Sequence, residues 1–196
     1  MTRKPTARQK ILAATEELLA TEGLLAINTN RVADEAQVNI STLYKNFGNK
    51  VDILVELLRS FESARIDHLA EWNGVIDSRA DWDRWARETV ESMIRFRRER
   101  PAARQLRAAI KVHPELARVD ADSTSSAVES VLGHLPEPND ATARQEMIAL
   151  LELASQTMSM VLDEIDPDSD LGRRRITALT AFICGAYDAM EKLIRS

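Results

Sequence analysis

The stretch Ile40-Ser41-Thr42-Leu43-Tyr44-Lys45-Asn46-Phe47 decides how this chain is read. Leu43 and Phe47 stand four apart and share one side of a helix, where Val38 can join them. Ser41, Thr42, Tyr44, Lys45 and Asn46 remain on the outer side, and each is short or polar. Asn39 is a good N-cap residue, so the pattern predicts a short helix over Ile40–Asn46. Upstream, Asn28 caps a second short helix predicted over 29–36. Before that, Ile11, Ala14 and Leu18 mark one face of a helix over 6–21, which Gly23 ends. Gly48-Asn49 breaks the chain again. A longer helix then covers 50–69, with Leu54, Leu57, Leu58 and Phe61 turned inward.

Two short helices joined by a tight turn and braced by longer ones follow the helix-turn-helix plan. In that plan the second helix lies in the DNA major groove and the first crosses the backbone. Asn can read adenine edges, Ser and Thr reach phosphates or bases, and Tyr and Lys suit phosphates. A polar surface helix of some other bundle would show the same spacing.

Individual residues go further than spacing. From Arg8 to Leu58 the chain resembles the DNA-binding domain of the tetracycline-repressor (TetR) family. The matching residues are Ile11-Leu12-Ala13-Ala14, Leu18-Leu19 before Gly23, Asn28-Thr29, Val32-Ala33 and Ala36-Gln37-Val38. After these come Thr42-Leu43-Tyr44, Phe47, Lys50 and Leu54. The resemblance implies that Thr29 and Asn30 touch phosphate and base. It implies that Ile40, Ser41 and Thr42 face base edges, and that Tyr44, Lys45 and Asn46 meet phosphates or flanking bases. Lys50 would clamp a phosphate at the positive end of the next helix. Two positions depart from the family pattern. Gln37 stands where Gly is usual in the turn, which implies a turn built differently. Asn30 replaces a basic residue. Arg3 and Lys4 read as a solvated terminus rather than a minor-groove arm.

The remaining sequence bounds the class. Of 196 residues, 44% are hydrophobic and 29% charged, with 6 Gly and 6 Pro, a profile of helix-rich globular proteins. Net charge is −5, yet residues 1–50 carry seven Lys/Arg against five Asp/Glu, and 51–196 carry 19 against 26. A mildly basic head on an acidic body permits DNA binding without proving it. No run approaches the ~20 apolar residues of a membrane span. The N-terminus lacks the apolar core of a signal peptide, and the lone Cys184 suits a reducing compartment, so a cytoplasmic protein is expected. No repeat or low-complexity tract is present.

Further helices are predicted over 79–100, 101–112, 114–132, 140–165 and 170–195, with Pro101 and Pro114 in first turns. No segment alternates as a strand does, so the fold expected is all-α. It comprises a three-helix helix-turn-helix domain over 1–50, reaching about 58 with the connecting helix, and a helical effector-binding and dimerisation bundle over 51–196.

In the last two helices Met147, Leu151, Ala154, Met158, Val161 and Ile165 keep 4-3 spacing. Ile176, Leu179, Ile183, Ala186, Met190 and Ile194 repeat it. Such a seam fits a dimer interface or an intramolecular core equally. The resemblance implies the dimer, with Ala178, Ala181, Gly185 and Ala189 allowing close approach. It also implies a small-molecule effector, apolar or aromatic, held by the middle helices. Trp82, Trp85, Met93, Phe96, Leu106, Ile110 and Val112 offer apolar lining there, and Arg104, Arg107 and His113 offer polar handles. Filling of the core by these residues is the competing reading.

No cofactor, metal or catalytic residue is expected. His68, His113 and His134 are scattered, and there is no phosphate loop, zinc motif or nucleophile elbow. The function implied is a ligand-responsive repressor that binds a palindromic double-stranded DNA operator as a homodimer. A helical architectural or scaffolding protein without sequence preference is the alternative.

Overall fold

The computed structural model describes residues 4–195, so Arg3 lies outside the described residues, and Lys4 is exposed. Helices succeed one another as α1 (Ala7–Thr21), α2 (Thr29–Glu35), α3 (Ile40–Asn46), α4 (Lys50–Ala70) and α5 (Arg79–Glu99). Then come α6 (Pro101–Ile110), α7 (Pro114–Leu132), α8 (Ala141–Glu164), α9 (Asp170–Gly185) and α10 (Tyr187–Arg195). No strand occurs among the described residues, and the fold is all-α.

Local chemistry explains most boundaries. Thr6 caps α1 in a reciprocal box with Gln9, and Asn28, Asn39, Asp140 and Ser169 each accept a backbone N–H of the helix they begin. Pro101 opens α6, where its missing N–H costs little. Gly23 has φ 79° and ψ 179°, a region essentially reserved for glycine, and it turns the chain into a single 3-10 turn over Leu24–Ala26. At Gly172 an added Cβ would lie 1.8 Å from the Asp166 carbonyl oxygen, so the loop into α9 closes on bare backbone.

The chain divides into two compact units. The first takes in everything through Ala64 together with Arg97–Ala121. Its core joins Ile11, Leu18 and Leu19 of α1 to Val32, Leu43, Phe47, Leu54 and Leu58. Ala102, Leu106 and Ala109 of α6 enter the same core, and α1 packs on α6 as well as on α2 and α3. Within this unit Arg107 of α6 donates to Glu62 of α4 at 2.9 Å and to Asp120 of α7 at 3.0 Å.

The second unit comprises Arg65–Phe96 and the chain from Asp122 onward. Trp82 is fully buried there and donates its Nε1–H to the Ile183 carbonyl at 2.8 Å. The turn after α4 is held down by His134, whose Nδ1 meets the Gly74 carbonyl at 2.9 Å and whose ring stands T-shaped to that of Trp72.

Two expectations for this unit need correction. The helix predicted over 170–195 is broken at Ala186, where Gly185 weakens the helix and the break turns Tyr187 and Met190 into the core. Second, the seam offered for dimerisation is largely internal. Met147, Leu151, Ala154, Met158, Ile165, Leu179, Ile183 and Met190 are all buried within the single chain, while Ile176 and Ala186 are half-buried. A 4-3 spacing records that a helix lies along another helix, and here the neighbours belong to the same chain.

Candidate nucleic-acid interface

The first unit presents α3 on a rigid seat. Leu43 is fully buried and Phe47 nearly so, fixing the back of the helix. The Asn39 Oδ1 accepts the Thr42 N–H and the Ser41 hydroxyl, both at 2.7 Å, so the first turn is closed by its own cap. On the outer side Ile40 and Tyr44 stay 38% and 52% exposed, and Ser41 and Lys45 are exposed beside them.

Most of the residues singled out by sequence converge on this surface. The hydroxyls of Thr29 on α2 and Tyr44 on α3 lie 3.2 Å apart, joining the two short helices across their outer edge. Asn30 is exposed on α2. Thr42 is half-buried, and its carbonyl accepts the Asn46 side-chain amide at 2.8 Å, so Asn46 partly serves its own helix. Lys50 is exposed in the first turn of α4. The N–H groups behind it already have a cap: Asn49 Oδ1 accepts from Val51 at 2.7 Å and Asp52 at 3.1 Å. Lys50 therefore offers an anion its side chain, with the helix amides largely taken.

Gln37 takes φ 53°, the only non-glycine residue with positive φ among those described. Its N–H donates to Asp34 O at 3.1 Å, and Val38 N–H donates to Ala33 O at 3.0 Å. This is the Schellman pattern with Gln in the position glycine usually holds. The expected rebuilding of the turn is thus absent; the turn keeps its left-handed residue and Gln bears the strain. A left-handed conformation costs a side-chain-bearing residue ~1–2 kcal/mol. Glycine's extra freedom in the unfolded chain offsets ~0.4–1 kcal/mol of that. Gln37→Gly is expected to stabilise the protein by about 0.5–1 kcal/mol, seen as a higher urea midpoint at unchanged slope. A lower midpoint would mean the turn needs the Gln side chain.

Arg8 is a residue sequence reasoning missed. It donates to the Asn46 carbonyl at 3.0 Å, pairs with Glu56 of α4, and lies 4.5 Å over the Phe47 ring. One guanidinium thus fastens the C-terminal end of α3 to α1 and α4. Its partners are 38 and 48 residues away, beyond any local pattern.

The residues proposed for effector binding scatter. Trp85 lines a cavity of the second unit together with Leu69, Thr89, Val131, Leu151 and Met158. Met93 and Phe96 are buried in that unit but do not line this cavity. Arg104, Arg107, Ile110 and His113 fall in the first unit, where Ile110 packs on the core and Arg107 is held by two carboxylates. Burial, and then the neighbouring Asp83, push the Cys184 thiol up from its ordinary value, which makes it a poor nucleophile. No group of three His, Cys, Asp or Glu side chains among the described residues is arranged to hold a metal ion. None of the described helices is long and apolar enough to cross a membrane.

A helix-turn-helix head followed by an all-α body defines a class of DNA-binding transcriptional regulators. Residues 11–57 match the tetR family of bacterial regulatory proteins, and residues 80–186 match the tetracyclin repressor-like C-terminal domain. The chain belongs to the TetR family. Among solved structures it is similar to a TetR-family transcriptional regulator from Streptomyces coelicolor. Identity is 19% over 94% of this chain and 99% of that one, with a TM-score of 0.67. The fatty acid degradation regulator FadR from Bacillus halodurans shares the fold at 13% identity, covering 94% and 97%, with a TM-score of 0.65. So does the multidrug binding protein EbrR, complexed with imidazole, at 22% identity, 90% and 96% coverage and a TM-score of 0.57. No curated protein matches the chain by sequence.

Proposed function

We propose that the protein is a ligand-responsive repressor that binds a palindromic operator as a homodimer in the cytoplasm. The observation that carries this reading is the outer face of α3, where Ile40, Ser41, Tyr44 and Lys45 stay open to solvent. Leu43, Phe47 and Arg8 hold the same helix from behind. Ile40, Ser41 and Thr42 then reach base edges in the major groove. Thr29, Asn30, Tyr44, Lys45, Asn46 and Lys50 set the register on phosphates and flanking bases.

The dimer supplies the second head, with half-sites about 34–36 Å apart. Since the 4-3 seam is internal, the face assigned to the partner is the opposite side of α8 and α9. Leu153, Met160 and Phe182 are 52%, 57% and 46% exposed there, an apolar exposure that a second copy would cover. A small molecule in the second unit would release the operator by favouring a spacing of heads that no longer fits it. That response requires different affinities for the two states.

Fluorescence anisotropy against the DNA upstream of the protein's own gene, with scrambled competitor, tests the reading. Expected is a preference of ~10³-fold or more over random DNA, with log K falling linearly in log salt. Tyr44→Ala/Lys50→Ala is expected to lose at least ~10-fold in affinity and to flatten the salt slope by about one unit, for the lost lysine. If random-library selection also yields no preferred sequence, the repressor reading fails and an architectural role takes its place.

A further inference from the structure

The residue that opens α3 is the apolar Ile40, which stays 38% exposed while Leu43 on the inner side is fully buried. Several polar groups of the same helix are already engaged within the chain. The Ser41 hydroxyl donates to Asn39 Oδ1 at 2.7 Å, and the Tyr44 hydroxyl lies 3.2 Å from that of Thr29. The Asn46 amide, whose type can pair bidentately with adenine, donates to the Thr42 carbonyl at 2.8 Å. The helix carries no arginine, and Lys45 sits in its last turn.

In a helix-turn-helix the first residues of the second helix meet base edges in the major groove. Those edges are rows of donors and acceptors with one apolar feature, the C5 methyl group of thymine. An aliphatic side chain set over a guanine, adenine or cytosine edge strips water from groups it cannot bond. Over thymine it meets carbon, and the same burial is favourable. Isoleucine adds stiffness, because its branched Cβ leaves one strongly preferred χ1 rotamer in a helix. Its methyl groups are therefore held in place before DNA arrives. We propose that Ile40 is a specificity-determining residue that reads the 5-methyl group of a thymine in each operator half-site. The base at this position is then chosen by apolar contact rather than by hydrogen bonding. This deepens the repressor reading above and rests on it, since it needs a preferred sequence.

Library selection with the full chain supplies that sequence, and anisotropy on analogues of the selected duplex tests the proposal. Deoxyuridine in place of thymidine removes the methyl group and leaves the pairing unchanged. At one thymine of the half-site, affinity is expected to fall about 3–5-fold for one half and about 10–20-fold for both, the worth of one buried methyl group each. Cytosine at that position is expected to bind more weakly still, and 5-methylcytosine to regain about 3–5-fold per half-site over cytosine. Ile40→Ser is expected to bind the thymine and uracil duplexes alike. Ile40→Ala replaces it should the serine variant fold poorly, and the base analogues need no variant. The proposal is overturned if uracil at every thymine of the site binds as tightly as thymine. It is equally overturned if the uracil loss survives in Ile40→Ser, which would assign the methyl group to another side chain such as Tyr44. A selection without any preferred sequence removes the repressor reading and this proposal together, whereas a preferred site indifferent to its methyl groups removes the proposal alone.

Discussion

Replacing Arg107 by Met is expected to destabilise the protein by about 3–5 kcal/mol, the range for breaking a buried ion pair from one side. Arg107 sits on α6 with its side chain only 13% exposed, between Glu62 at 6% and Asp120 at 30%. The guanidinium is shared by two carboxylates from α4 and α7. Methionine would keep the stem's packing and remove the charge and donors, while Glu62 stays where water barely reaches it. Asp120 can recover water, so Asp120→Asn is expected to cost ~1 kcal/mol or less. Glu62→Gln combined with Arg107→Met should restore much of the loss, because the pair leaves together. Urea unfolding of the four proteins checks this. An Arg107→Met midpoint indistinguishable from wild type would show that the network contributes nothing.

Carboxylates placed on the outer face of α8 and α9 should have the second large effect. Met160→Glu/Phe182→Glu is expected to convert the proposed dimer to monomer in light scattering and to lower affinity for the proposed operator by about 10²–10⁴-fold. Both residues border a groove of about 360 Å³ with Ala178 and Val161, so the new charges would lie where a partner packs. In a two-fold interface each substitution acts twice, placing four added carboxylates in the contact beside the Glu164 and Arg175 that each copy already contributes. The variant should keep its helical signal and melting cooperativity, since both positions are exposed in the single chain. Met158→Glu is the contrast: that side chain is buried, and the substitution should unfold the second unit instead. If Met160→Glu/Phe182→Glu remains dimeric, the partner face lies elsewhere.

Spatial grouping also sharpens the charge argument. Residues 1–50 carry only +2, but the first unit as folded includes Arg97–Ala121, which holds seven Lys/Arg against three Asp/Glu. Counted by sequence, the first unit has +4 and the second −9. Cations from the second half of the chain thus belong to the unit that carries the helix-turn-helix.

What sequence by itself determined here is the set of features with local causes. The limits of α3 follow from Asn39 and the Leu43/Phe47 pair, those of α7 from Pro114, and that of α8 from Asp140. Each depends on residues within one or two turns. The family resemblance was carried by such a run, Thr42 to Lys50, and most of its residues gather on one exposed surface. Tertiary structure decided whatever has two local solutions. A 4-3 seam is the same pattern whether the neighbour is one's own helix or a partner's, and only burial of Met147, Leu151 and Met158 in the single chain separates them. Arg107 looked like a ligand handle because its two carboxylates lie 45 and 13 residues away. Arg8 was silent for the same reason, and Gln37 accepts a left-handed backbone because the bonds on either side of it close the turn regardless of its side chain.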